Sequence, residues 1–173
     1  MLIPLLIAIA AFPQQDYGEH HARVLESVER RYSEFAKAIL RHDMTEVLNY
    51  MTYNVVWIEK HDRDTKTIDR DAIVQRLQPW VKSTDPKGVL RFHVNRMNVK
   101  SDDEVETEIE VQYAPQGVPF PPKVKEKNIW RETLVKVSDR WMLQRGQQIS
   151  PKMADSNYGV VVETAAQGAT VSR

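Results

Sequence analysis

The sequence contains no cysteine. Disulfides, cysteine nucleophiles, thiolate metal sites and a lipidated N-terminal cysteine are therefore excluded. Net charge is also missing, because 24 Lys and Arg balance 24 Asp and Glu. Without a strong basic field, nonspecific nucleic-acid binding is not expected. The six glycines are scattered and form no phosphate-cradling loop. No G-x-S-x-G, S-x-x-K or H-E-x-x-H occurs, so those hydrolase and zincin chemistries have no signature here. No apolar run reaches the ~20 residues of a membrane-spanning helix. What is present is an ordinary globular composition, 42% hydrophobic and 28% charged over 173 residues. That is enough for one domain with its own core.

The N-terminal stretch Met1 to Ala11 (MLIPLLIAIAA) is apolar throughout and turns polar at Pro13-Gln14-Gln15-Asp16. It reads as a signal peptide over 1–11, with Ala8-Ile9-Ala10 fitting the small-x-small pattern that signal peptidase cuts after. The expected location is secreted or periplasmic, with no membrane attachment after cleavage. Glu19 to Arg41 carries Leu25, Val28, Tyr32, Phe35 and Ile39 on one stripe, the mark of a long amphipathic helix. Asp43 and Glu46 have capping-box spacing before a short helix from about Met44 to Met51. Asn54 to Glu59 is β-branched and aromatic and reads as a strand, His61 to Thr67 as a polar loop. A third helix, capped by Asp69 or Asp71, is expected to run to about Gln78, with Pro79 ending or bending it.

The second half alternates with period two. Val105, Thr107, Ile109, Val111 and Tyr113 share one strand face, and Glu106, Glu108, Glu110 and Gln112 share the other. Val89 to Val99 forms the strand before it. Ala114 to Lys127 holds four prolines and is a long loop. Ile129 to Val137 and Trp141 to Ile149 form a hairpin around Ser138-Asp139-Arg140. Pro151 to Arg173 is a small, polar tail in which only Val160-Val161-Val162 suggests an edge strand. Helices first and hairpin-joined strands after indicate an α+β fold, with one curved antiparallel sheet wrapped around the long N-terminal helix.

The segment from Phe35 through His42-Asp43 and Val47-Leu-Asn-Tyr-Met51 to Asn54-Val-Val-Trp57 resembles the start of SnoaL-like members of the nuclear-transport-factor-2-like superfamily. The hairpin Thr133 to Leu143 resembles their ending, with Asp139-Arg140 where glycine is common. The likeness covers roughly residues 20–150. It implies a cone-shaped α+β domain with a pocket between sheet and helices, often as a homodimer. Ketosteroid isomerase on this fold uses an Asp base with a Tyr and a protonated Asp as oxyanion donors. By position the Tyr falls on Phe35 and the protonated Asp on Thr133. The base falls on Ile58 or Glu59, and only Glu59 could serve.

Catalytic candidates are thus Glu59 and His61. His61 with Asp62 and Asp64 is read as solvated loop charge, and neither a metal nor a cofactor is expected. A three-residue hairpin turn would pair Thr133 with Arg145 and Arg131 with Gln147, on the same face as Val135, Val137, Trp141 and Leu143. These four polar residues, with Trp57 and Tyr113 as apolar walls, would then line the cone. An inward arginine pair needs a partner, either Glu59 or an acidic ligand. The alternative is that these arginines reach solvent at the end of the sheet. The leading expectation is an exported domain holding a small apolar or acidic ligand in its cone. Alternatives are an acid/base enzyme of isomerase, dehydratase or cyclase type, and a dimerisation or scaffold module. An enzyme predicts a cavity with a perturbed acid or base, a binder a cavity without one, and a scaffold a filled cone with an apolar outer sheet.

Overall fold

The computed structural model describes residues 14–61, 64–124 and 126–150. The expected signal peptide and the C-terminal tail, with Val160-Val161-Val162, lie outside the described residues. The apolar stripe folds into helix α1, Gln14–Leu40, and buries Val28, Tyr32, Phe35 and Ile39. His42 ends it in the left-handed region at φ 56°. Asp43 then caps helix α2, Met44–Leu48, by accepting the Glu46 amide at 3.1 Å. Strand β1, Met51–His61, runs into strand β2, Asp64–Ile68, and the two pair antiparallel. The stretch read as a polar loop from His61 is therefore a sheet edge. Its Thr65, Lys66 and Thr67 face water, so no apolar alternation marks it.

Helix α3, Arg70–Ser83, is capped by Asp69 and continues through Pro79. It runs past the expected end near Gln78, so of ending or bending at Pro79 the first does not occur. Only one intrahelical bond is lost there, and the buried row Ile73, Leu77, Val81 carries the helix past it. Strands β3 (Val89–Ser101), β4 (Glu104–Ala114), β5 (Asn128–Val137) and β6 (Arg140–Ser150) complete a curved six-stranded sheet in the order β2-β1-β6-β5-β4-β3. Every neighbouring pair is antiparallel except β1 with β6. The inner sheet face packs on α1 and α3. The outer face stays polar, and its glutamate row finds cations within the chain: Lys100 on Glu106 at 3.0 Å, Arg131 on Glu108 at 3.2 Å and Lys127 on Glu110 at 2.7 Å.

The hairpin register corrects the expected one. The turn has two residues, Ser138 and Asp139, both at positive φ (49° and 61°). Val137 therefore pairs with Arg140, Lys136 with Trp141 and Leu134 with Leu143. A shift between Thr133 and Leu134 inserts Gln144 as a bulge, and beyond it Thr133 meets Arg145 and Arg131 meets Gln147. Those two pairs stand as expected, but the faces are exchanged. Trp130, Glu132 and Leu134 point inward, while Arg131 faces water and Thr133 and Val135 are only half-buried. Two-residue turns with positive φ at both positions favour Asn-Gly. Ser138→Asn with Asp139→Gly should raise the midpoint of thermal unfolding by about 3 °C, for about 1 kcal/mol of relieved strain. Calorimetry of the double variant measures it.

Candidate functional site

A carboxyl group stands in the middle of the core. Glu132 lies on β5 in the cross-strand row Trp57, Gly146, Glu132, Thr107, and it is 1% exposed. The Tyr50 hydroxyl, at the junction of α2 and β1, donates to its Oε2 at 2.8 Å. The Tyr32 hydroxyl, one turn before Phe35 on α1, donates to the same oxygen at 2.9 Å. Thr107 on β4 reaches the Tyr32 oxygen at 2.7 Å. With Tyr32 donating to Glu132, the Thr107 hydroxyl donates to Tyr32, so the chain of protons runs toward the carboxyl.

Burial raises the Glu132 pKa from 4.5 to about 7, and the hydrogen bonds from Tyr50 and Tyr32 oppose that rise. Both phenols are pushed well above their usual range, first by burial and then by the charge of Glu132. They remain donors at any physiological pH. The site is thus one titrating carboxyl fed by two permanent hydroxyl donors.

Aromatic rings close around it. Phe35 stacks on Tyr50 at 3.9 Å and Tyr32 on Phe92 at 5.8 Å. Trp57 meets Trp130 edge-on at 5.2 Å, and Trp80 meets Trp130 at 6.4 Å. The six-membered ring of Trp57 lies against Gly146, where any Cβ would collide with it. Arg31, buried beside Tyr50, sets its guanidinium 5.5 Å from the Tyr50 ring centre and donates to the Asn49 carbonyl at 2.7 Å.

The residues singled out in the sequence are distributed differently. Glu59 does face the cone and is buried, but its ion-pair partner is Arg76 of α3 rather than Arg131 or Arg145. With β6 between their strands, Glu59 and Glu132 are separated by about 10 Å of sheet width. His61 is the last residue of β1, backbone-paired with Asp64. Trp57 is core. Tyr113 is buried too, and its hydroxyl accepts the Asp85 amide at 2.7 Å, pinning the link between α3 and β3. Arg131 and Arg145 are exposed, and Thr133 and Gln147 are half-buried. The outward register puts Arg131 beside Glu108 on the wet face, so these four do not line the cone together.

Counting from the family's motifs missed the polar centre by small offsets. The isomerase's Tyr and protonated Asp fall by position on Phe35 and Thr133, which match neither; the hydroxyl and the carboxyl seen in the core are on Tyr32, one turn earlier, and on the neighbouring Glu132. One signal was available in the sequence. Reading the turn as two residues puts Trp130, Glu132 and Leu134 on the inner face, with a carboxylate between two large apolar side chains.

No family model matches the chain, and no curated protein matches it in sequence. Solved structures do. A protein from Novosphingobium aromaticivorans described as a putative scytalone dehydratase superposes with a TM-score of 0.57 at 12% identity, covering 76% of this chain and 86% of that one. A nuclear-transport-factor-2-like protein of unknown function from Silicibacter pomeroyi gives 0.55 at 9% identity, covering 74% and 96%. A domain of unknown function with a cystatin-like fold from Nostoc punctiforme gives 0.54 at 9%, covering 72% and 75%. At such identities the likeness concerns backbone architecture. The long helix wrapped by a curved sheet, matched by these structures, makes this chain a nuclear-transport-factor-2-like cone fold.

Proposed function

We propose that the domain holds a small, largely apolar ligand in its cone and handles a proton at Glu132. The supporting observation is the Glu132 carboxyl, poised at about 7 and fed by two tyrosine hydroxyls in an aromatic shell. A carboxyl in such a core adds no stability that well-packed apolar side chains would not match. Groups so perturbed concentrate where protons are moved. The ligand class follows from the lining: aromatic walls for an apolar body, and one carbonyl or hydroxyl to exchange hydrogen bonds with Tyr50 and Glu132. Acid/base turnover of that ligand is the second reading. It draws support from the described activity of the Novosphingobium neighbour, a dehydratase, since expulsion of water needs a group that can protonate a leaving hydroxyl. Export belongs to the same proposal, on the strength of the 1–11 segment, and the N-terminus of the secreted product should lie at about Ala11.

The rings fill the space that a ligand would take, so binding must move the indoles of Trp57 and Trp130. Titration with small apolar ketones and phenols should therefore change tryptophan fluorescence and raise the unfolding midpoint together. Phe92→Ala opens room beside Trp130 and should strengthen binding of the smallest ligands. If neither the wild type nor Phe92→Ala responds to any of them, the cone is a structural core and the reading fails.

A further inference from the structure

Away from the cone, a groove of about 450 Å³ runs between α1, the start of α2 and the turn joining β5 to β6. That volume suits a small metabolite. Its charge is lopsided in a chain whose total is zero. Six cations line it: Arg30, Arg31, Lys37, Arg41, Lys136 and Arg140. Against them stand Glu34, Glu46 and Asp139. We propose that this groove is a binding site for a small polyanion, a metabolite carrying two or more carboxylate or phosphate groups.

The internal pairing shows which cations remain for a ligand. Glu34 sits between Arg31 at 3.1 Å and Arg140 at 4.0 Å, and Glu46 is 3.9 Å from Arg140. Those pairings engage Arg31 and Arg140, with Glu34 one helical turn from both Arg30 and Lys37. Arg30, Lys37 and Arg41 have no carboxylate within ion-pair distance among the described residues. All three project from α1 or its end and are exposed.

The floor beneath them is fixed. Arg31 donates from Nε to the Trp141 carbonyl at 2.9 Å and from Nη2 to the Asn49 carbonyl at 2.7 Å. The Trp141 indole donates to the Ser27 hydroxyl at 2.8 Å, tying the hairpin to α1, and Lys136 lies 5.5 Å over the Trp141 ring. The cations are therefore displayed from a rigid wall, and an anion entering the groove orders little besides their own tips. Arginine forks receive carboxylate and phosphate oxygens in pairs, which favours such groups over halide. A net excess in a concave surface also focuses the field on its mouth. The groove shares Arg31 and Phe35 with the shell around Tyr50, but its binding is tested without reference to the Glu132 proton.

Citrate and pyrophosphate are the probes, each titrated into the full chain at low ionic strength with calorimetric and thermal-shift readouts. Sodium chloride at matched ionic strength and acetate, a monoanion, are the controls. The expected result is saturable binding of at least one probe with a raised unfolding midpoint, and no comparable effect of the controls. Arg30→Ala and Lys37→Ala should each weaken it about tenfold. Neither change breaks an ion pair of the fold, so the unliganded midpoints should match wild type. Arg96→Ala, exposed on β3, should bind as wild type. Citrate alone would name a polycarboxylate, pyrophosphate alone a phosphorylated ligand, and both a polyanion site without that distinction. The proposal is overturned if neither probe saturates, or if Arg96→Ala weakens binding as much as Arg30→Ala does.

Discussion

Replacing Gly146 with alanine should lower the unfolding midpoint by about 10 °C, a loss of about 3 kcal/mol. The cause is local. The Trp57 ring lies against the Gly146 backbone, and the added methyl would collide with its Cε3 and Cζ3 atoms. Neither partner has room to give. Trp57 is 3% exposed and held edge-on by Trp130, while Gly146 is paired on both sides, to Trp57 in β1 and Glu132 in β5. The indole must then leave its site, and its burial is lost with it. A double-mutant cycle separates this collision from a general defect of the strand. Trp57→Leu alone costs packing, but Gly146→Ala should cost little on top of it, giving a coupling of ~2 kcal/mol. Equal costs of Gly146→Ala in the two backgrounds would refute the account. Chemical denaturation of the four proteins gives the answer directly.

Glu132 should make the domain less stable as pH rises toward neutrality, the reverse of the usual acid denaturation. Its ordinary value is 4.5 and its folded value about 7, so between these the native chain holds a proton that the unfolded chain has released. Stability then falls with pH across that window, by on the order of 3 kcal/mol in all. Below the unfolded value both states are protonated and this contribution is complete; above about 7 both are ionised and it is gone. Glu132→Gln keeps an oxygen to accept from Tyr32 and Tyr50 but cannot ionise. It should cost about 1–2 kcal/mol at pH 5, where its extra amide hydrogens lack acceptors, and should equal or exceed wild type at pH 8. Two stability-against-pH curves that cross near neutrality are the expected observation. Parallel curves would show that another group carries the dependence.

Much of the architecture could be read before the structure was seen, for identifiable reasons. The stripe through Val28, Tyr32, Phe35 and Ile39 and the strict alternation from Val105 to Tyr113 are periodic signals, and all of these residues are buried. The Asp43 cap is a local signal and was equally legible. What escaped was set by tertiary context. The strand β2 is an edge, and apart from the buried Ile68 its composition is polar. Pro79 is tolerated because Val81 is anchored beyond it. The hairpin failed on one residue: Ser138-Asp139 fits a two-residue turn less obviously than Asn-Gly, and the bulge at Gln144 leaves no trace in composition. A one-residue slip turned over the side chains of β5, while Trp141 and Leu143 of β6 stay buried as expected. That slip alone moved Arg131 and Thr133 inward on paper and kept Glu132 out of view. The groove was missed for another reason. Four of its six cations are spaced along α1 and its end as any solvated face would be, and only the docked hairpin, which adds Lys136 and Arg140, makes them a concave wall.

The parallel seam between β1 and β6 has a bearing on how the chain folds. Met51 meets Leu143, and Trp57 meets Gly146. Strand β1 can pair with β2 as soon as both exist, but its other edge stays open until the last hairpin arrives. Such long-range closure is slow, because the entropy of a large loop is lost before any contact repays it. During synthesis the first half should thus remain incompletely packed while β3, β4 and β5 are being made. Trp57 reports the final step, since its ring is enclosed only when Gly146 slides beneath it. Its fluorescence should change late, after the hairpin of β5 and β6 has formed, and a chaperone that shields the exposed edge of β1 would act in that interval.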